Sequence, residues 1–174
     1  MRSFDFSPSG PAPRDGASEG GEKAVALEAL WFLNTRVEIR RPSADGADGV
    51  SIAEHRMPFG DSAPLHVHER EAEIFHLLEG EMRFRVGETE TLARPGDTLV
   101  APPGVPHTFR VESAKGARCL VITPGPDFEG LIRAAARPAE GPGLPPACAP
   151  TADQIEALGA LALANRIELL GPPM

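Results

Sequence analysis

The chain has 174 residues and a formal net charge of −8, with an isoelectric point near 5.1. This acidic balance argues against nucleic acid or an anionic membrane surface as a partner, and no apolar stretch reaches the length of a membrane span. The two cysteines, Cys119 and Cys148, are too few for a disulfide framework. The N-terminus lacks the apolar region of a signal peptide, so a cytoplasmic location is expected.

Three segments follow one another along the chain. Residues 1–22 are rich in Pro, Gly and Ser, a composition that predicts a flexible N-terminal tail. Residues 23–125 consist of short apolar or alternating runs separated by glycines, such as EMRFRV, where Met82 and Phe84 share one face. Many short strands at close spacing predict an all-β domain, an antiparallel sandwich or barrel.

Residues 126–174 have a different pattern. DFEGLIRAAA at 127–136 predicts a short helix, and a Pro-rich linker follows it. Thr151 and Gln154 match a capping box at the start of a second helix. The final RIELLGPPM is predicted to be either a short strand or an extended arm lying on the barrel.

Four residues stand out as candidate metal ligands. His66 and His68 are two residues apart, so on a strand they project to the same side. Glu73 would project to the opposite side of one unbroken strand, so the polar EREA segment before it is expected to bend. His107 follows a stiff Pro-Gly turn. Three imidazoles and a carboxylate suit one divalent first-row metal ion, whereas the alternative is ordinary core or surface histidines.

At these residues the sequence resembles the cupin superfamily. Its first motif, G-x5-H-x-H-x4-E-x6-G, is matched by Gly60, His66, His68, Glu73 and Gly80. Its second, G-x5-P-x-G-x2-H-x3-N, is matched by Gly96, Pro102, Gly104 and His107, with Val111 in place of the asparagine. The resemblance covers about residues 25–125. It implies a jelly-roll β-barrel of two antiparallel sheets, followed here by short C-terminal helices. It also implies one metal ion per chain (iron, nickel, manganese, copper or zinc) held by His66, His68, Glu73 and His107.

The neighbours of these residues predict the character of a pocket. Counting by twos along each strand places Phe75, Leu77, Phe109 and Val111 on the same face as the candidate ligands. Such an apolar wall favours an aromatic or hydrocarbon-like substrate over a sugar, whereas the alternative is that the four side chains only fill the barrel.

Other polar residues near the motifs are less informative. His76 is expected to face outward, and Glu69, Arg70 and Glu71 are predicted to form a solvated turn. Either Glu54 or His55 could face inward, and the sequence does not decide between them.

The chain as a whole resembles the small cupins grouped with quercetin dioxygenase-like proteins. The first hypothesis is therefore a metal-dependent dioxygenase that acts on a small aromatic or enolic compound, with Glu73 as general base. The alternatives are a zinc-dependent polyketide cyclase or isomerase, with the metal as Lewis acid, and a non-catalytic small-molecule-binding protein. The resemblance also implies a homodimer.

Overall fold

Two antiparallel sheets make up most of the computed structural model, which describes residues 28–45 and 48–174. The predicted tail, residues 1–22, lies outside them. The strands are β1 (Glu28–Phe32), β2 (Thr35–Arg41), β3 (Ser51–Met57), β4 (Pro64–His68), β5 (Glu73–Glu79), β6 (Met82–Val86), β7 (Thr89–Ala93), β8 (Thr98–Ala101), β9 (His107–Val111), β10 (Ala117–Thr123), β11 (Arg137–Pro138) and β12 (Ile167–Pro173). The helices are α1 (Asp127–Ala135) and α2 (Ala152–Ala164), with a short 3-10 turn at Ser43–Asp45.

The order of strands differs between the two sheets. One sheet has seven strands in the order β11-β1-β2-β3-β10-β5-β8, and the other has five in the order β12-β4-β9-β6-β7. Since β4 and β5 are consecutive in the chain but belong to different sheets, the segment between them crosses from one sheet to the other. The predicted all-β class with short C-terminal helices is confirmed.

Alternating burial orients the strands. In β6, Met82 and Phe84 are buried, while the alternating Arg83 and Arg85 are only half-buried. In β10 every second residue from Ala117 to Thr123 is buried. The inward side chains of both sheets form one core that includes Phe75, Leu77 and Val111. Each sheet therefore packs its apolar face against the other.

The C-terminal segment takes part in the sheets. Residues 167–173 form an edge strand that pairs antiparallel with β4. The barrel was predicted to end at residue 125, so this strand comes from outside the predicted boundary. Helix α2 begins at the predicted capping box of Thr151 and Gln154. Helix α1 packs Ile132 against the seven-stranded sheet and Leu131 against Ala162 of α2. Neither of these two helices is long and apolar enough to cross a membrane.

Candidate metal centre

The four predicted ligands come from both sheets and meet inside the barrel. His66 on β4 and His107 on β9 are directly opposite each other in register, and His68 lies two residues farther along β4. Glu73 is the first residue of β5, and the bend at residues 69–72 brings it to the same space. All four are buried, His66 being the most exposed at 8%.

The ligand atoms have the spacing of groups around a single ion. Oε2 of Glu73 lies 2.9 Å from Nε2 of His107, 3.4 Å from Nε2 of His68 and 3.6 Å from Nε2 of His66. Ligand atoms from all four residues lie within 4.8 Å of one another. Two ligands about 2.1 Å from one ion are about 3.0 Å apart in octahedral geometry and about 3.4 Å apart in tetrahedral geometry.

Backbone carbonyls fix the orientation of two of the rings. Nδ1 of His66 donates to the carbonyl of Pro64 at 2.8 Å, and Nδ1 of His107 donates to the carbonyl of Val105 at 3.0 Å. Because a carbonyl only accepts, the proton of each neutral ring is on Nδ1. The Nε2 lone pair of each then points into the centre, as a metal ligand requires.

Unsatisfied polar atoms show that a cation fits this donor set. Among the described residues, neither ring nitrogen of His68 has a hydrogen-bond partner, although both are buried. Leaving such groups unpaired costs about 1–3 kcal/mol each. A divalent ion at this position would pair with Nε2 of His68 and with the Glu73 carboxylate together. The four side chains can therefore hold a metal ion, while their role as its ligands stays a prediction.

Glu73 is the only anion among the four candidate ligands. Burial raises the pKa of its carboxyl, but the contacts with His107 and His66 and the charges of His68 and His107 outweigh burial and hold the pKa well below its ordinary value. Burial lowers the pKa of His107, but its hydrogen bond and charge interaction with Glu73 raise the pKa above the ordinary value overall. Glu73 is thus a carboxylate at neutral pH.

Glu71 corrects the prediction of a solvated turn. Its side chain is only 3% exposed, whereas Glu69 and Arg70 beside it are exposed. The Glu71 carboxylate accepts the backbone N–H of Phe128 at 2.6 Å, at the start of α1, and lies 3.5 Å from Nδ1 of His68. A signal in the sequence could have indicated that Glu71 faces the interior. Glu71 and Glu73 are two residues apart, the same spacing that places His66 and His68 on one side of β4.

A cavity of about 90 Å³ adjoins the centre, with His66 and Glu73 in its wall. Of the predicted pocket residues, Phe75 and Phe109 line it. Leu77 and Val111 do not, and pack instead in the core between the sheets. Both face inward as the alternation predicted, but each lies two residues farther along its strand than the aromatic residue that reaches the cavity.

Much of the wall comes from elements outside the two motifs. These residues include Phe32 and Leu33 at the end of β1, Phe128 and Leu131 of α1, and Leu158 of α2. No spacing rule of the motifs extends to them, so their place in the wall could not be predicted from the motifs.

The ambiguity between Glu54 and His55 is resolved by β3. His55 faces inward and lines the cavity. Glu54 faces the other side, where it pairs with Arg40 at 2.6 Å and Arg118 at 3.2 Å. His76 is directed away from the centre, with Nδ1 2.9 Å from Oγ1 of Thr98.

Comparison with known proteins places this site in a family. The cupin domain family matches residues 53–123, a range that contains all four candidate ligands. Quercetin 2,3-dioxygenase of Bacillus subtilis is 31% identical over 145 residues, which cover 83% of this chain and 40% of that enzyme. The chain spans less than half the length of the curated relatives it matches.

Solved structures share the fold. An oxalate decarboxylase of Bacillus subtilis matches with a TM-score of 0.50 and 18% identity, over 56% of this chain and 27% of that one. A sugar phosphate isomerase of Silicibacter pomeroyi, described as a cupin, also matches with a TM-score of 0.50, at 17% identity over 56% and 71% of the two chains. With its two motifs, its paired antiparallel sheets and its match to the family over residues 53–123, the chain contains a cupin domain.

Proposed function

We propose that the protein is a metal-dependent dioxygenase acting on a small aromatic or enolic compound. The observation that carries this proposal is a buried set of three imidazoles and one carboxylate that opens directly onto an apolar cavity. A site of this kind places one polar end of a ligand at the donor set and the rest of the ligand against aromatic side chains.

The cavity favours a small planar molecule. Its volume of about 90 Å³ is below the roughly 150 Å³ of an engineered cavity that binds benzene. The cavity is therefore suited to at most a single ring or a small enolic compound, for which the wall must move slightly, and a larger ligand would extend toward the exposed Leu33. Phe75, Phe109 and Phe128 would contact its faces and exclude water from the reacting atoms.

Glu73 is the natural proton acceptor. Its Oε2 atom is the point on which the three Nε2 atoms converge, so a hydroxyl bound at the centre would lie next to it. We expect this carboxylate to take the hydroxyl proton of the substrate, since it is the only anion among the four candidate ligands. A bound metal ion would supply Lewis acidity toward the substrate oxygen and, when redox-active, electron exchange with O2.

The curated relative supports a dioxygenase in particular. The 31% identity to the Bacillus subtilis quercetin 2,3-dioxygenase extends over most of this chain. Because the chain spans only 40% of that enzyme, the substrate of the relative is not carried over. The small volume of the cavity leads us to expect catechols or enolic diketones rather than a full flavonol.

One further observation favours the zinc-dependent cyclase or isomerase as the second candidate. Asp61 lines the same cavity, and burial raises the pKa of its carboxyl although Thr35 donates a hydrogen bond to it at 2.9 Å. A cyclase or isomerase needs a proton donor as well as a base, and a carboxyl with a raised pKa is suited to that role.

Metal analysis followed by oxygen uptake tests the proposal. The protein is produced without contact with a nickel or zinc column and analysed for metals, then reconstituted separately with iron, manganese, nickel, copper and zinc. We expect one redox-active ion per chain and oxygen consumption with a catechol or an enolic diketone. Zinc alone with no oxygen uptake would contradict the dioxygenase and favour the second candidate. His76→Gln alters a histidine that faces outward and is a control that should keep the metal content and the oxygen uptake of the wild type.

A further inference from the structure

His55 lies in the wall of the cavity and outside the donor set. It is on β3, where it pairs in register with Val37 of β2 and Cys119 of β10. Its side chain faces the interior and is 6% exposed. The same cavity reaches His66 and Glu73, so a ligand at the donor set would occupy the space in front of His55.

The His55 ring is held in place but is not hydrogen-bonded through Nε2. Within the described residues, Nε2 of His55 is buried and has no partner. The ring stacks on Phe128 with 5.9 Å between centroids and 23° between planes. Phe128 also packs against the ring of His68 at 5.6 Å. A buried polar atom without a hydrogen-bond partner is rare in folded proteins, because it loses its hydrogen bonds to water and gains none in exchange.

The charge state of His55 suits a hydrogen-bonding role. Burial lowers the pKa of His55 to about 4, although the charge of Glu73 acts in the opposite direction. The ring is therefore neutral at pH 7, with one nitrogen that donates and one that accepts. In a mostly apolar wall, a neutral imidazole can bind a ligand hydroxyl or carbonyl without the cost of burying a charge.

Resting on the ligand class proposed above, we infer that His55 is a substrate-binding residue whose imidazole hydrogen-bonds a polar group of the ligand. The ligand would present one oxygen or an adjacent pair to the donor set and a further hydroxyl or carbonyl to His55, with its ring against Phe128. The preferred substrates would then be small rings or enolic compounds that carry polar groups at both ends. A simple catechol would leave Nε2 unpaired.

Anaerobic binding measurements on zinc-loaded, full-length protein test this role without any turnover. Isothermal titration gives the affinity for catechol and for two rings with one more hydroxyl, pyrogallol and hydroxyquinol. We expect at least one of these to bind the wild type about tenfold more tightly than catechol, the gain of about one well-made hydrogen bond. His55→Phe should bind catechol within about twofold of the wild type and lose that preference.

Further variants separate binding from folding. His55→Leu is a second apolar replacement in case the larger ring does not fit, and His55→Gln should keep part of the preference because an amide can still hydrogen-bond. His76→Phe is the matched control and should keep the preference in full. All variants should retain one zinc ion per chain, since His55 is not among the predicted ligands.

The outcomes distinguish this inference from the proposed function. A wild type without preference for the extra hydroxyl, or an apolar variant that keeps it, would overturn the role of His55. Binding of none of the three rings would overturn both the role and the ligand class. The expected binding pattern without oxygen uptake in the reconstituted protein would support the role of His55 and count against the dioxygenase alone.

Discussion

Nε2 of His107 lies 2.9 Å from Oε2 of Glu73, while Nδ1 of the same ring donates to the carbonyl of Val105. Both nitrogens thus face acceptors, yet a neutral imidazole carries only one proton. The contact is favourable only when the ring is protonated or when a cation lies between the ring and the carboxylate. The raised pKa of His107 and the lowered pKa of Glu73 both reflect this demand for positive charge.

Replacing His66 or His107 with alanine should therefore abolish stoichiometric metal binding. Each change removes one of the four converging donors and leaves a gap beside Glu73. The measurement is the metal content per chain after reconstitution and gel filtration, with His76→Ala as a control that should remain fully loaded. If both variants kept a full complement, the assignment of the centre would be wrong.

Glu71→Gln should weaken metal binding by about 10- to 100-fold, the usual effect of removing a group that orients a ligand. Its carboxylate lies beside Nδ1 of His68 and accepts two N–H groups at the start of α1, so the neutral amide would loosen both contacts. Competition with a chelator gives the affinity. Glu69 is exposed in the same bend, so Glu69→Gln should leave the metal affinity unchanged. An equal loss of affinity in both variants would contradict the role of Glu71.

The two motifs were enough to predict that these four side chains lie close together, while their role as metal ligands stays a prediction. Alternation along a strand places His66 and His68 on one side, and the register of β4 with β9 brings His107 opposite. The depth of the cavity was less predictable. Leu77 faces inward yet lies too far along β5 to reach the cavity. How deep an inward side chain lies is set by the packing of both sheets, which no single strand encodes.

The parts of the site supplied by α1 could not be predicted for the same reason. Phe128 enters the cavity wall because the Glu71 carboxylate binds the start of its helix. A polar residue in a bend is usually solvated, so its burial depends on a helix more than fifty residues later in the chain. The edge strand β12 is a similar case, because its pairing with β4 is set by the folded barrel.

Gly80→Ala should destabilise the protein more than Gly96→Ala. Both glycines have positive φ, +83° and +94°, so both substitutions carry a backbone cost of about 1–2 kcal/mol. A Cβ at Gly80 would also lie 2.5 Å from the carbonyl oxygen of Gly116 and 2.5 Å from Oγ of Ser113, whereas a Cβ at Gly96 meets open space. Urea unfolding should give a further loss of at least about 1 kcal/mol at Gly80, and equal losses would contradict this crowding.

Finally, His55 should make the metal-free protein less stable in acid. Its pKa is about 4 in the folded protein against an ordinary value of 6.5, because burial disfavours the charged ring. Between these values the unfolded chain binds more protons than the folded one, so stability falls as the pH drops from about 6.5 to about 4 and is unaffected by His55 above that range. The full effect is about 3 kcal/mol. The charge that acts on this ring is that of Glu73, which opposes the shift. Cys119, opposite His55 in register, adds no charge because burial raises the pKa of its thiol and keeps it neutral.

The comparison of wild type with His55→Phe isolates this contribution, since the other carboxylates and histidines titrate in both proteins. Urea unfolding is measured for both, without metal, at several pH values from 4 to 8. The stability difference should be constant above pH 7 and should shift in favour of His55→Phe as the solution becomes more acidic. A difference that stays flat across the whole range would mean that the His55 ring reaches solvent or finds a partner, and the case for an unpaired nitrogen in the cavity wall would fail with it.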